Sequence, residues 1–577
     1  MNEKGFLSEI RFSRALGLWQ AITLGLGVML TLFIFMVMGG AVAIAGPLTP
    51  LAYLLAALLV LANVLGYIEL AVTVPRPGGA YTLVHEVQGG WLAFLTGWTL
   101  TLSGLGVCAL LAQGFAVQVT TLLNDYFGLA LPVWPWAVGL VILLAVNNVL
   151  ATREGRRRRI AILLMAILMG FILLATPRIK LANYVAVRPN WRQALPLLMV
   201  SFVGLEVTAS LQGEMRQRKI NAPRALLLAP LLAAALGAAI VAVAVGVVGS
   251  EALADSRVPL ALLGASVAGE GGRSFILVAG ALALALTLNW ALMMVVRQAY
   301  AMSSDGYWPA ALRKMQPRFK TPALLIAFVA LLVLPLTLLP VDFLGRLAGL
   351  LYLLVLMSVN LALFRRRQPA SSSFALPFHP WVPGLTLAVD ILIGLLWGPT
   401  YLAWAAGCLG VGNLIYLLYA RGHHIRAQEG ITVFKPPLEG WPEVSYRVLV
   451  PIANPATAGT LLRLAGALAR QQAGEVLALQ VVVVPDQVPL EAGHLRARAS
   501  RTLLERAMIQ ANEEGFAIHP MTRVARNVAQ GILDTADEES VNLIVLDWRG
   551  DTRSFGASMG PIIDAVIRDA PCDVTVV

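Results

Sequence analysis

Charge is what this sequence has little of. Only 13% of its 577 residues are Asp, Glu, Lys or Arg, about half the share of an ordinary soluble domain. That excludes a wholly soluble chain. Cysteine is nearly missing as well. Cys108, Cys408 and Cys572 are the only three, and they show neither pairing nor metal spacing. A disulfide framework and a thiolate metal cluster are excluded with them. Histidine occurs six times, and the one adjacent pair, His423-His424, reads as a solvated pair beside an apolar run. No nucleophile–base set is visible, so an enzyme is not expected, nor a cofactor, nor a metal.

What is present is apolar. Hydrophobic residues make up 58% of the chain, concentrated in residues 1–420. A spanning helix needs about 20 mostly apolar residues. Twelve such spans are read: 18–45, 49–74, 90–122, 132–151, 159–176, 194–214, 224–249, 274–302, 322–340, 343–364, 381–399 and 401–420. From Arg421 the composition turns mixed and charged. The organisation expected is a membrane domain over 1–425, a linker over 426–443 and a soluble domain over 444–577.

The net charge of +11 would suggest nucleic acid in a soluble protein. Here Lys and Arg gather in the short loops, so topology accounts for them and no nucleic-acid partner is expected. With the N-terminus inside, inner loops hold Arg153, Arg156 to Arg159, Arg216, Arg218, Lys219, Arg224, Arg313, Lys314 and Arg365 to Arg367. Outer loops are poorer in basic residues, although 176–193 is an exception. The positive-inside rule then places both termini in the cytoplasm of a multi-pass plasma-membrane protein. The first apolar run is too long for a cleaved leader.

Ionisable groups inside a span are costly. Glu69 in span two and Glu206 in span six are read either as carboxyls that tie helices together or as coupling and gating groups. Asp390 in span eleven is read as structural, and Arg346 as snorkelling from the end of span ten. Span six, "SFVGLEVTASLQGEM", has Gly204 amid polar residues and reads as discontinuous. A glycine-interrupted span that matches a glycine-bearing first span points to a midplane site between two broken helices. Thr287 and Asn289 in span eight are read either as oxygens offered to a hard cation or as groups bonded back to their own helix. Span five carries no ionisable residue.

These segments resemble a known family. "LGYIELAVTVPRPGGAYTLVHEV" (65–87) is similar to the second-helix signature of the amino acid–polyamine–organocation superfamily. Phe202, Gly204, Glu206, Glu214, Arg216, Lys219 and Pro223 follow its sixth-helix pattern. "RQAYAMSSDGYWPAALRKMQPRFKTP" (297–322) resembles its loop after helix eight. The resemblance implies a five-plus-five inverted repeat followed by two further helices. It places an amino acid or related organic cation between the unwound parts of spans one and six, on Gly27, Met29, Leu30, Thr31, Phe33, Ser201, Phe202, Val203 and Gly204. Coupling to sodium or protons, with Glu69, Glu206, Thr287 and Asn289 as coupling or gating groups, is implied too. Span one departs from the family. Where amino acid members have two later glycines, this chain has Thr31 and Phe33, and phenylalanine denies the close backbone approach that glycine allows. The same stretch also resembles the cation–chloride cotransporter branch, so an ion symporter is the alternative. A membrane sensor with a degenerate transporter core is the second alternative.

The tail alternates strand and helix, which argues a parallel doubly wound α/β sheet. It resembles the universal stress protein family. Nucleotide-binding members carry an acid after strand one and a glycine loop after strand four. Here Ala453 stands at the acidic position, Asp547 replaces the first glycine, Gly550 and Gly560 keep the spacing, and Pro561 replaces the hydroxyl residue. ATP or AMP is therefore not expected. A regulatory module that forms a homodimer is.

Overall fold

The computed structural model describes residues 16–73, 79–150, 170–185, 190–212, 215–216, 218–316, 319, 321–365, 381–423, 431–434, 446–452, 455–472, 474–484, 518–525, 527–548 and 559–577. The chain forms two compact units, Arg11–His424 and one that holds Ile425–Val577.

Among the described residues of the first unit, seven helical stretches are long and apolar enough to cross a membrane, and three shorter apolar helices accompany them. Leu18–Ala71 contains both span one and span two. They are separated at Gly46, whose φ of 55° suits glycine alone. The others follow the sequence reading closely: Gly90–Phe127 (span three), Trp191–Ser210 (six), Ile220–Val248 (seven), Pro259–Ser304 (with eight), Val341–Arg365 (ten) and Pro399–His423 (twelve). The regions read as spans four, nine and eleven hold shorter apolar helices, Trp134–Val149, Ala323–Leu336 and Trp381–Trp397. Most of span five lies outside the described residues.

Three features differ from the sequence reading. Pro259–Ser304 breaks at Ala268 and Gly269, where Gly269 has φ 61°. A separate helix thus precedes span eight. Gly79–Gln88, within a motif that had no assigned structure, is a helix with residues 79–85 buried. Arg346 does not snorkel freely. It pairs with Asp342 one turn earlier (3.0 Å) and lies 5.8 Å from the Tyr401 ring.

Spans one and six are pinned to each other at both ends. Arg216 N–H donates to Leu16 O (2.9 Å), and Asn190 N–H to Ile44 O (3.3 Å). The start of one meets the end of the other, so the two run in opposite directions. Span three is the central post. Glycines let its neighbours approach, as small residues do in membrane helices. A Cβ on Gly104 would lie 2.5 Å from Val295 of span eight, and one on Gly106 3.1 Å from Ala348 of span ten. Gln113 of the same helix donates to Thr337 O and Leu339 O (both 2.8 Å), holding the turn between spans nine and ten.

Among the described residues the second unit forms a six-stranded sheet. Its strands are β1 (Ile431–Phe434), β2 (Arg447–Pro451), β3 (Glu475–Val483), β4 (Ile518–Ala525), β5 (Leu543–Leu546) and β6 (Asp573–Val576). The order is β1-β4-β3-β2-β5-β6. All pairs are parallel except β1 with β4. The expected linker, 426–443, therefore contains an edge strand of the sheet. Helix Pro455–Gln471 packs on one face, and Val528–Glu538 with Pro561–Asp569 on the other. β2 and β5 are buried throughout their centres, as strands covered on both faces must be.

One buried charge is critical to this unit. Arg523 on β4 is 1% exposed. It forks onto Glu538 (2.5 and 2.7 Å), with Asp534 3.5 Å away. Removing one partner of a buried pair costs about 3–5 kcal/mol. Glu538→Ala is expected to fall below that range, because Glu538 is itself 45% exposed and Asp534 remains. Scanning calorimetry of the full chain would show it as a downward shift of the tail's transition; an unmoved transition would mean Asp534 alone holds the arginine.

Candidate functional site

Neither span one nor span six unwinds into open chain. Span one is α-helical from Leu18 to Leu32, widens to a π-helix over Phe33–Val37 and resumes as α-helix at Met38–Ala45. Span six is α-helical from Trp191 to Met199, tightens to 3₁₀ over Val200–Gly204 and resumes over Leu205–Ser210. A π-turn and a mid-helix 3₁₀ turn often mark functional positions. Here they occur in two antiparallel helices in contact.

Gly204 does not act by adopting a backbone closed to other residues. Its φ and ψ are −57° and −16°, which any residue takes. Its function is approach. A Cβ there would lie 2.8 Å from Met29 Cγ, 2.9 Å from Met29 N and 3.1 Å from Gly25 O. Gly25 is the reciprocal notch, since a Cβ on it would strike the Thr208 hydroxyl. The two backbones touch through paired glycines. Sequence reading named Gly204 and missed Gly25, although Gly25 and Gly27 together are a small-residue signal.

Met29, Leu30, Thr31, Phe33, Ser201, Phe202, Val203 and Gly204 are all buried. Phe33 stacks on Tyr53 of span two, with ring centroids 3.8 Å apart and planes within 14°. Tyr53 stacks in turn on Phe202, at 5.3 Å and 22°. A three-ring stack thus joins the π-turn of span one to the 3₁₀ turn of span six. Gly237 of span seven makes room, because a Cβ there would meet the Tyr53 ring and lie 3.2 Å from Phe33 Cδ1. Ser201 donates to Leu198 O (2.6 Å). Tyr53 was missed by sequence reading, although a tyrosine in the apolar first half of span two was the available signal. Gly27 faces span eight, and a Cβ on it would lie 3.9 Å from the Trp290 ring. Thr287 and Asn289 are buried on that span.

Glu206 ties three elements together. Tyr67 Oη and Ala80 N–H donate to its Oε2 (3.0 and 3.1 Å), and its Oε1 has no hydrogen-bond partner. Gly79, at φ 68°, brings the helix start close enough that a Cβ there would strike Oε2. The two glycine motifs of the sequence thus converge on one carboxyl. Glu69 is also buried and engaged in interactions of its own. Beyond Glu206, Tyr81 Oη donates to Asp305 Oδ2 (2.7 Å), and His85 Nε2 lies 3.8 Å from the same oxygen. Tyr307 Oη is 3.4 Å from His85 Nδ1 and donates to Gly90 O (3.1 Å). This cluster joins the motif after span two to the motif after span eight. Sequence reading used those residues for resemblance and did not see that they meet.

In the tail, Ala453 and Gly550 lie outside the described residues. Gly560 has φ 117° just ahead of helix Pro561–Asp569. Asp547 follows β5, and its Oδ2 accepts from Thr457 Oγ1 (2.8 Å) in the first turn of helix Pro455–Gln471. A carboxylate therefore stands at the carboxyl ends of the central strands. No group of metal-ligating side chains occurs among the described residues.

Paired glycines between antiparallel, locally rewound helices, set in a bundle of apolar spans, are those of a polytopic membrane protein. The chain belongs to the amino acid permease family, whose model matches residues 16–420, and the universal stress protein family model matches residues 446–577. It is 28% identical over 456 residues to the branched-chain amino acid permease BcaP of Bacillus subtilis, covering 72% of this chain and 95% of that protein. It is 26% identical over 448 residues to the methylthioribose transporter of the same organism, covering 72% and 95%. It is 24% identical over 428 residues to the serine/threonine exchanger SteT, also of that organism, covering 66% and 90%.

Proposed function

We propose that the chain is a secondary active transporter of apolar amino acids, working by alternating access in the plasma membrane through twelve spans, with both termini cytoplasmic. The observation that carries this is the contact of spans one and six at Gly25 and Gly204. The residues around it are apolar apart from Thr31, Ser201, Thr208 and the Tyr53 hydroxyl, which suits a largely apolar side chain. The antiparallel course of the two helices supports a five-plus-five inverted repeat. Similarity to branched-chain amino acid permeases favours an amino acid over an ion pair.

The test is thermal stability of the purified protein against branched-chain amino acids, other amino acids, polyamines, and chloride with sodium or potassium. A ligand stabilises by mass action, about 2.7 kcal/mol at a hundred times its Kd. Saturable stabilisation by a branched-chain amino acid is expected. Stabilisation by chloride and alkali cation with no amino acid response would replace this reading with an ion symporter.

Coupling to protons or sodium is assigned to Glu206, with Thr287 and Asn289 as further oxygen donors. Glu206→Gln keeps an oxygen for Tyr67 and Ala80. It is expected to fold normally, to retain exchange and to lose gradient-driven accumulation. Accumulation at the wild-type level would leave Glu206 a purely structural tie.

The tail is proposed as a regulatory, dimerising module that binds no ATP. Asp547 puts negative charge where a phosphate would need bared N–H groups. Millimolar ATP is expected to leave the tail's unfolding temperature unchanged. A concentration-dependent rise would overturn this.

A further inference from the structure

Away from spans one and six, the membrane unit holds another buried carboxyl. Asp390, on helix Trp381–Gly394 of span eleven, is 1% exposed. Asn63 of span two and Asn360 of span ten are buried with it. Asn360 Nδ2 donates to Asn63 Oδ1 (2.6 Å) and to Leu356 O (3.2 Å). Asn63 Nδ2 donates to Asp390 Oδ1 (3.0 Å) and to Leu59 O (2.9 Å). Each amide is thus oriented by a carbonyl one turn back on its own helix. The chain of bonds has a fixed direction and ends on Asp390 Oδ1. Gly66 leaves the space, since a Cβ there would lie 2.7 Å from Asn360 Oδ1.

The other oxygen, Oδ2, has no hydrogen-bond partner, and no cation pairs with Asp390 among the described residues. Spans two and ten are the helices packed most closely on Trp381–Gly394, the part of span eleven that carries Asp390. Their charged residues are Glu69, Asp342, Arg346 and Arg365, and their other titratable ones Tyr53, Tyr67 and Tyr352. Arg346 is taken by Asp342, and Arg365, a little over one turn past Asn360, is exposed and makes no ion pair with Asp390. A bare carboxylate would have one amide to offset its loss of water, against a cost of several kcal/mol. An un-ionised carboxyl has the smaller loss to offset, a single O–H on Oδ2 without an acceptor.

We propose that Asp390 is an intramembrane proton-binding site at the junction of spans two, ten and eleven. The proton, taken from water, resides on Oδ2, while Oδ1 keeps the bond from Asn63. The neutral acid holds span eleven against the other two. The site is separate from the one between spans one and six.

Infrared spectroscopy of the full chain in lipid nanodiscs tests this. Wild type at neutral pH is expected to show an un-ionised carboxyl C=O stretch that Asp390→Asn lacks. Asparagine keeps an oxygen for Asn63 to donate to, so that variant retains its helix contacts. Asn63→Ala removes the donor to Oδ1, and the same band is expected to move to higher frequency. If Asp390→Asn instead loses a carboxylate band and leaves the un-ionised region unchanged, the proposal is overturned. An unmoved band in Asn63→Ala overturns it as well.

Discussion

Gly204→Leu is expected to abolish uptake by the reconstituted transporter and to lower its thermal stability. The cause is contact, not conformation. The first added carbon alone would lie 2.9 Å from Met29 N and 3.1 Å from Gly25 O. Those are backbone atoms of span one and cannot swing aside. Met29 Cγ, at 2.8 Å, is a flexible side chain and can. Spans one and six must therefore separate, and overpacking of a tight interface typically costs 1–3 kcal/mol. Gly204→Ala is expected to show the same effect at smaller size. Uptake assays with thermal unfolding on both variants check it. Wild-type uptake at unchanged stability would mean that spans one and six do not need to touch at this level.

Phe33→Gly is expected to move substrate preference toward larger side chains by about ten-fold or more, the scale on which a pocket weighs a methylene or two. The ring fills the place where a glycine-bearing first helix would leave space, and it lies flat on Tyr53. Removing it frees one side of Tyr53, which still stacks on Phe202. Loss of a buried phenylalanine costs about 3–5 kcal/mol, so the variant should also unfold at lower temperature. Competition of uptake by leucine, methionine and phenylalanine is the measurement. A destabilised variant with an unchanged competition profile would make Phe33 a packing residue outside the substrate path.

The spans were legible because apolar length is a one-dimensional signal. Span six was marked by Gly204 and Glu206, and both lie at the helix contact or beside it. The nature of the break was not legible. Sequence suggested open chain in both spans, and the structure keeps them helical through a π-turn and a 3₁₀ turn. Glycine spacing marks where a helix departs from regularity; the direction of departure depends on what packs against it. Tyr53 and Gly25 were missed for a related reason. Their importance comes from Phe33, Phe202 and Thr208 on other segments of the chain.

The linker shows the same limit. Ile431–Phe434 is four residues long, too short for its alternation to declare a strand. It becomes one by pairing with β4 across about 90 residues of sequence.

By itself the sequence determined that this chain enters a membrane many times and carries an α/β tail, because composition and periodicity decide which solvent each segment tolerates. Only the tertiary structure decided that Gly204 is a point of contact, that Phe33 is one ring of three, and that the glycine motif after span two closes on Glu206. Each of those depends on atoms brought within a few ångströms by helices that run in opposite directions, and no local pattern encodes that distance.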